Sequence, residues 1–79
     1  MKHLLEFLLI HLVEHPDEIE ISEEKNDLGE DVYKVTVHPE DIGQVIGKKG
    51  HRIKAIRKII QIKAAQISAR FKIVLNNND

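Results

Sequence analysis

The chain contains no cysteine and no tryptophan, and only three of its 79 residues are aromatic: Phe7, Tyr33 and Phe71. The absence of cysteine excludes disulfide bonds, thiolate metal sites, iron–sulfur clusters and cysteine nucleophiles. At 9.1 kDa the chain can form one small hydrophobic core and not two. The sequence therefore predicts a single domain that folds without covalent cross-links.

Long hydrophobic runs are also missing. The most apolar segment, residues 4–13, is interrupted by Glu6 and His11, and its longest unbroken apolar run is residues 7–10. A membrane-spanning helix needs about 20 mostly apolar residues, and no small-residue cleavage site follows this segment. We therefore predict neither a signal peptide nor a membrane segment, and we expect a soluble, cytoplasmic protein with no membrane partner.

Acidic side chains are absent from residues 44–75, which carry nine basic ones. Residues 1–43 carry twelve acidic side chains against three basic ones, so the net charge of −1 averages two opposite halves. A polyanion responds to the local field within a Debye length of about 8–10 Å rather than to the total charge. The segregation fits a polyanionic partner, and it fits equally well two halves that pair with each other.

Hydrophobic periodicity predicts three helices and three strands. The predicted elements are a helix over 4–13, strands over 18–22 and 32–37, a short helix over 39–46, a long helix over 51–66 and a strand over 70–75. The order α-β-β-α-α-β indicates an α+β fold with a three-stranded sheet packed by helices on one face. We expect the first two strands to form an antiparallel pair joined by a turn over 23–31. Tyr33, Val35 and Val37 are predicted to face the core.

The first helix is more apolar than one side of a small core requires. Pro16 disfavours the helical conformation at His15 and is expected to end this helix. Leu4, Phe7 and Ile10 widen its apolar face beyond the core-facing positions. The additional apolar surface predicts either a helix that the fold nearly encloses or a contact with another subunit, and the geometry of a small domain favours the subunit contact.

The two later helices are joined by only four residues, Gly47-Lys48-Lys49-Gly50. Glycine permits the backbone conformations that so short a turn requires, and it lets another backbone approach closely. The lysines and the nearby Arg52 place positive charge at the positive end of the following helix, where each cation costs about 0.3–1 kcal/mol. Binding of an anion such as phosphate explains this arrangement better than folding stability does.

Common catalytic and nucleotide-binding motifs do not fit this segment. Three residues separate Gly43 from Gly47, where a P-loop needs four between its glycines, and Lys49 occupies the position of the magnesium-binding hydroxyl. The sequence has no credible serine–histidine–acid set. His11 and His15 have the spacing of a helical metal pair, but Glu14 and His3 are the sole candidates for a third ligand and Pro16 frays that end of the helix. We therefore predict no enzyme activity, no cofactor, no metal site and no small-molecule substrate.

One segment resembles the KH-domain signature, in which an aliphatic residue and an isoleucine precede G-x-x-G and a further isoleucine follows two residues after it. This segment is Val45-Ile46-Gly47-Lys48-Lys49-Gly50-His51-Arg52-Ile53. The element order is similar to the type II, bacterial KH arrangement. The length and the Pro39-Glu40-Asp41 lead-in are similar to the short single-KH bacterial RNA-binding proteins of the KhpA family. The resemblance covers the whole chain: residues 1–30 as an N-terminal helix–strand extension, 31–75 as the β-α-α-β KH core and 76–79 as a polar tail.

This resemblance implies a module that binds single-stranded RNA and holds the sugar-phosphate backbone against the G-x-x-G turn. The residues that it assigns to RNA binding are Gly43, Ile46, Gly47, Lys48, Lys49, Gly50 and Arg52. The glycines of the turn permit close approach, the lysines neutralise phosphate and Arg52 adds a further contact. Gly43 and Ile46 are candidates for the groove wall, although Ile46 fits the core equally well. The implied role is an RNA chaperone or post-transcriptional regulator, and the implied partner is a second copy or another KH-containing protein.

Alternative functions follow from the same residues. The positive half could dock an acidic protein, which would make the chain a protein-interaction or dimerisation module with vestigial nucleic-acid binding. Folds that stack bases on aromatic side chains are disfavoured, because Phe71 is the single aromatic residue of the basic half. A helix-turn-helix is disfavoured because strands flank the helix pair and Arg52 alone fits a base-reading position.

Overall fold

The computed structural model describes residues 1–75, and the predicted tail over 76–79 lies outside them. The helices and strands are α1 (Lys2–Ile10), β1 (Glu20–Lys25), β2 (Asp31–Thr36), α2 (Ile42–Ile46), α3 (His51–Gln66) and β3 (Phe71–Leu75). Short 3-10 turns at Pro16–Glu18, Pro39–Asp41 and Lys48–Gly50 precede β1, α2 and α3 respectively. The predicted order α-β-β-α-α-β and the α+β class are thus confirmed.

The three strands form one mixed sheet in the order β1-β2-β3. β1 and β2 are antiparallel, as predicted, with Ile21 opposite Val35. β2 and β3 are parallel, with Tyr33 opposite Ile73, because α2 and α3 carry the chain back to the starting edge. This crossover places the GKKG corner, residues 47–50, at the junction of the two crossover helices.

The core lies between the helices and one face of the sheet. The predicted inward residues are confirmed, since Tyr33 and Val35 of β2 are each 1% exposed and Val37, directly after β2, is also buried. The other buried members of the core are Leu5, Leu9, Val45, Ile56, Ile60 and Ile73. No helix within residues 1–75 combines the length and apolar character needed to cross a membrane.

The first helix is shorter than its apolar spacing predicts, because α1 ends at Ile10 rather than near Pro16. The ring Nδ1 of His11 lies 2.8 Å from the carbonyl oxygen of Phe7. Farther along, the backbone N–H groups of Glu14 and His15 bond to the carboxylate of Asp41 instead of to the preceding helical turn. These tertiary hydrogen bonds replace helical ones, so the helix ends before Pro16.

The first strand begins later and ends later than the alternation over residues 18–22 predicts. Pro16–Glu18 forms a 3-10 turn, so β1 begins at Glu20 and continues to Lys25. The turn between the strands shrinks to residues 26–30, where the side-chain oxygen of Asn26 accepts the N–H groups of Leu28 and Glu30. A charged edge strand has little hydrophobic contrast, which explains why periodicity alone misplaced its bounds.

The long helix α3 presents three different faces to its surroundings. Ile56, Ile60 and Ala64 are buried against the sheet at intervals of four residues. Ile59 and Ile62 are 43% and 63% exposed, although they are as apolar as the buried positions. One solvent-exposed face of α3 therefore carries apolar side chains beside α1, and another carries cations beside β3.

Candidate nucleic-acid interface

The GKKG corner has a backbone that ordinary side chains resist. Gly47 adopts φ 74° and ψ 174°, Lys49 adopts φ 57° and ψ 24°, and Gly50 adopts φ 74° and ψ 14°. The Gly47 conformation is accessible essentially to glycine alone, and the other two are left-handed. The predicted requirement for glycine at both ends of the corner is confirmed by these angles.

Lys49 occupies a left-handed conformation that asparagine or glycine would adopt at lower cost. Both Lys48 and Lys49 are exposed, and within residues 1–75 neither has a hydrogen-bond or ion-pair partner. The first turn of α3 contains no acidic residue to balance them. Strain and uncompensated charge at the positive end of a helix create a site that favours an anion.

Within residues 1–75, the basic half of the chain forms one ion pair with the acidic half. Of the nine basic side chains in residues 44–75, Lys72 alone lies within 4 Å of a carboxylate in the described part of the chain, 3.8 Å from Glu30. The acidic residues instead pair with lysines and histidines of residues 1–43, as in the 2.9 Å pair of Lys25 with Asp31. The interpretation that the two halves neutralise each other is therefore wrong, and the positive charge remains at the surface.

Arg52 braces the corner from the first turn of α3. Its Nη1 donates to the backbone carbonyl of Gln44 at 2.6 Å and to the side-chain oxygen of Gln44 at 3.0 Å. The carbonyl of Gln44 belongs to the last turn of α2, where helix carbonyls lack intrahelical partners. A Cβ on Gly47 would lie 2.6 Å from the Cβ of Arg52, so the bare backbone of Gly47 packs directly against this residue.

Two further predicted site residues lie on α2, one turn before the corner. Gly43 is exposed, and a Cβ at this position would meet no atom within 4 Å. Ile46 is half-buried and is not among the residues that pack into the core cluster. Both side-chain positions are therefore open to a ligand that contacts α2 next to the corner.

A cleft of about 680 Å³ lies between α3 and β3. Arg57, Gln61 and Ala65 line its helical side, and Arg70 and Phe71 line its other side. The helical residues lie on the same face of α3 as Lys54, because residues three or four apart share a face. A stripe of cations thus leads from the corner into a cleft whose floor is partly apolar.

Sequence reasoning missed several residues of this arrangement. Gln44 gave no signal, because its partnership with Arg52 depends on how α2 meets α3. Arg70 precedes β3, and the alternation along a strand does not indicate that this side chain lines the same cleft as Arg57. The helical spacing of Arg57 and Gln61 was the one sequence signal that could have indicated the cleft.

The sequence is similar to a known family over nearly its whole length. Residues 2–75 match the family model described as KhpA/KhpB, KH domain. A protein of Halalkalibacterium halodurans named RNA-binding protein KhpA is 38% identical over 74 residues, which span 92% of this chain and 95% of that protein. Proteins of the same name from Clostridium acetobutylicum and Oceanobacillus iheyensis are 41% and 45% identical. Their matches span 95% and 76% of this chain, and 96% and 79% of the relatives. The chain belongs to the KhpA/KhpB family of KH domains.

Proposed function

We propose that this chain is a non-enzymatic RNA-binding protein that holds single-stranded RNA at the GKKG corner. The relatives described above are named RNA-binding proteins. The corner presents bare backbone and two uncompensated lysines at the positive end of α3, which suits the sugar-phosphate backbone. Bases would then extend into the cleft between α3 and β3, whose partly apolar floor suits unstacked bases.

The unpaired charge of Lys48 and Lys49 carries this proposal. Surface lysines usually have little effect on the free energy of folding. These two lie beside a helix N-terminus, however, and Lys49 has a strained backbone conformation, so both lower the stability of the fold. A phosphate group compensates both penalties at once, because it satisfies the local positive potential. The proposed cellular role is that of an RNA chaperone or post-transcriptional regulator in the cytoplasm, where single-stranded transcripts are found.

The salt dependence of RNA binding tests this function. Contact with three or four phosphates predicts that log affinity falls with log salt at a slope of about −2 to −3 for a single strand. A single module of this size is expected to bind with Kd of about 10⁻⁴–10⁻⁶ M at physiological salt. Fluorescence anisotropy of a mixed-sequence, single-stranded RNA measures both quantities. Binding that is equally tight for duplex RNA, or a slope near zero, would contradict the proposal.

Replacing Arg52 with lysine distinguishes two roles of this residue, its hydrogen bonds to Gln44 and its contact with phosphate. Arg52→Lys keeps the charge, but its side chain is one bond shorter and does not bring the ammonium group to Gln44, so we expect RNA affinity to fall about fivefold, the equivalent of one net hydrogen bond. The slope of log affinity against log salt should stay unchanged, because no cation is lost. Anisotropy titrations at several salt concentrations provide the measurement. Wild-type affinity in this variant would mean that Arg52 acts as a cation alone.

We also propose that the chain forms a dimer through α1 and α3. A groove of about 280 Å³ between these helices is lined by Phe7, Leu8, Leu12, Ala55 and Ile59 among others. Phe7 is 57% exposed, and the nearby Ile59 and Ile62 are also exposed, so the apolar surface continues beyond the groove. The predicted additional apolar face of α1 supports a second copy, or another KH-containing protein, as its occupant. A second module would raise the weak RNA affinity of one corner by multivalency.

Phe7→Glu should disrupt this dimer. A carboxylate in the centre of an apolar contact loses hydration without gaining a partner, so we expect dimer affinity to fall more than tenfold. Leu28→Glu is the matched control, because Leu28 is 68% exposed in the β1–β2 turn and takes no part in the groove. Sedimentation velocity at high protein concentration distinguishes the forms. A monomeric wild-type protein, or equal dimerisation of both variants, would contradict this interface.

A further inference from the structure

Imidazole and carboxylate groups meet at the start of α2, at the opposite end of this helix from the GKKG corner. His15 comes from the connector between α1 and β1, whereas His38, Glu40 and Asp41 belong to or precede the turn before α2. The rings of His15 and His38 stack, with centroids 4.0 Å apart and planes 14° from parallel. Donor atoms of His15, His38 and Glu40 all lie within 4.8 Å of one another.

Asp41 fixes which nitrogen of His15 is free. This carboxylate is 1% exposed and accepts the backbone N–H of Glu14 at 3.1 Å and that of His15 at 3.0 Å. It also lies 3.1 Å from the ring Nδ1 of His15. Because this carboxylate accepts both backbone N–H groups, it is the acceptor toward the ring as well, so Nδ1 of His15 carries a hydrogen and Nε2 keeps the lone pair of the neutral ring.

The turn before α2 fixes His38 in a complementary way. The ring Nδ1 of His38 accepts the backbone N–H of Glu40 at 3.0 Å, so the lone pair of the neutral ring lies on Nδ1. The carboxylate Oε1 of Glu40 lies 3.7 Å from Nε2 of His15 and 3.9 Å from Nδ1 of His38. The two nitrogens that can act as ligands are therefore the two that approach the same carboxylate oxygen.

We propose that Nε2 of His15, Nδ1 of His38 and Oε1 of Glu40 bind a divalent transition-metal ion of the Zn²⁺ class. Two imidazoles and one carboxylate are a donor set that such ions favour, with water completing the shell. Bonds of about 2.0–2.1 Å in a tetrahedral site separate the donors by about 3.4 Å, which is within half an ångström of the spacings to Glu40. Asp41 is the positioning residue, since a carboxylate behind a ligating histidine orients its ring.

Binding requires small movements that the site permits. The lone pairs of two nearly parallel rings do not converge, so the ring of His38 must turn about its Cβ–Cγ bond, a torsion with broad minima in histidine, while Asp41 keeps the ring of His15 in place. His38 exchanges its bond from the Glu40 N–H for the metal. The side chain of Glu40 is 73% exposed and can follow the ion. Glu18 faces the other ring nitrogen of His38 at 3.9 Å and can accept its hydrogen.

Metal titration of the untagged full chain at pH 8, without RNA, tests this site. Zn²⁺ should bind with one ion per chain by calorimetry, and Co²⁺ should produce a d–d absorption band. Zn²⁺ should also raise the midpoint of thermal unfolding, because the folded state alone assembles the ligands. Glu40→Gln and His38→Gln should each weaken binding at least about tenfold, and Asp41→Asn about 10- to 100-fold.

His11→Gln and His51→Gln are the matched controls, because both histidines are exposed and lie outside the cluster. They should bind Zn²⁺ as the wild type does. Glu40→Gln alters an exposed side chain, so its loss of binding cannot be attributed to unfolding. Absence of stoichiometric binding, unchanged affinity in Glu40→Gln and His38→Gln, or loss of binding in either control would overturn the proposal. Because no RNA is present, such a failure is separate from a failure of the proposed function.

Discussion

Lys48→Asp/Lys49→Asp should weaken the binding of single-stranded RNA by about thirtyfold or more. Each substitution removes a cation beside the phosphates and adds an anion, and about 1 kcal/mol for each reversed charge gives about 2 kcal/mol in total. The slope of log affinity against log salt should become shallower by about 1.4, since two neutralised phosphates are lost at about 0.7 each. The fold should persist, because both side chains are exposed and aspartate tolerates the left-handed conformation at position 49.

Lys2→Asp/Lys63→Asp is the matched control for this experiment. It changes the net charge by the same amount, but Lys2 lies in the first turn of α1 and Lys63 in the last turn of α3. Lys63 is about three and a half helical turns from the corner. The control should lose less than about threefold in affinity and keep the wild-type slope. Equal losses in the two double variants would mean that total charge, and not the corner, determines RNA binding.

Gly47→Ala should destabilise the whole domain by about 2–4 kcal/mol. The residue adopts φ 74° and ψ 174°, a conformation that costs an alanine about 1–3 kcal/mol. The added methyl group would also lie 2.6 Å from the Cβ of Arg52 and 2.9 Å from its backbone nitrogen, so α3 must shift. A domain of this size has only a few kcal/mol of stability. Urea denaturation followed by circular dichroism measures the change.

The other two glycines of this region provide graded controls. Gly50→Ala places a side chain in a left-handed conformation with no atom within 4 Å, so a loss of about 1 kcal/mol is expected. Gly43→Ala adds a methyl group to an open helical position and should be neutral or stabilise the fold by about 0.5–1 kcal/mol. Equal effects of all three substitutions would contradict the packing of Gly47 against Arg52.

The corner could be predicted from the sequence because its determinants are local. A four-residue connection between two helices requires positive φ angles, and the glycines of Gly47-Lys48-Lys49-Gly50 indicate where these angles occur. The buried positions of β2 were predictable for the same reason, because the alternation of apolar and polar residues along a half-buried strand indicates which side faces the core. In both cases the local structure is determined by residues that are neighbours in the sequence.

Features that depend on distant residues could not be predicted in this way. The end of α1 is decided by hydrogen bonds from Glu14 and His15 to Asp41, which lies far along the chain. His11 and His15 have the helical spacing of a metal pair in the sequence, whereas the fold brings His15 to His38. The bond of Arg52 to Gln44 likewise depends on the crossing of α2 and α3. Such contacts are products of tertiary packing, which helical spacing does not encode.

Amide NMR shifts during titration with single-stranded RNA test whether RNA binds at the GKKG corner. A suitable ligand is an oligonucleotide of about eight nucleotides, which is twice the length that a KH cleft holds. Oligonucleotides of several base sequences can be compared at this length. The largest shifts should occur at residues 47–52, with smaller shifts along the cleft at Arg57, Gln61 and Arg70. Signals of residues 47–52 that stay unmoved while other amides shift would contradict the assignment of RNA binding to the corner.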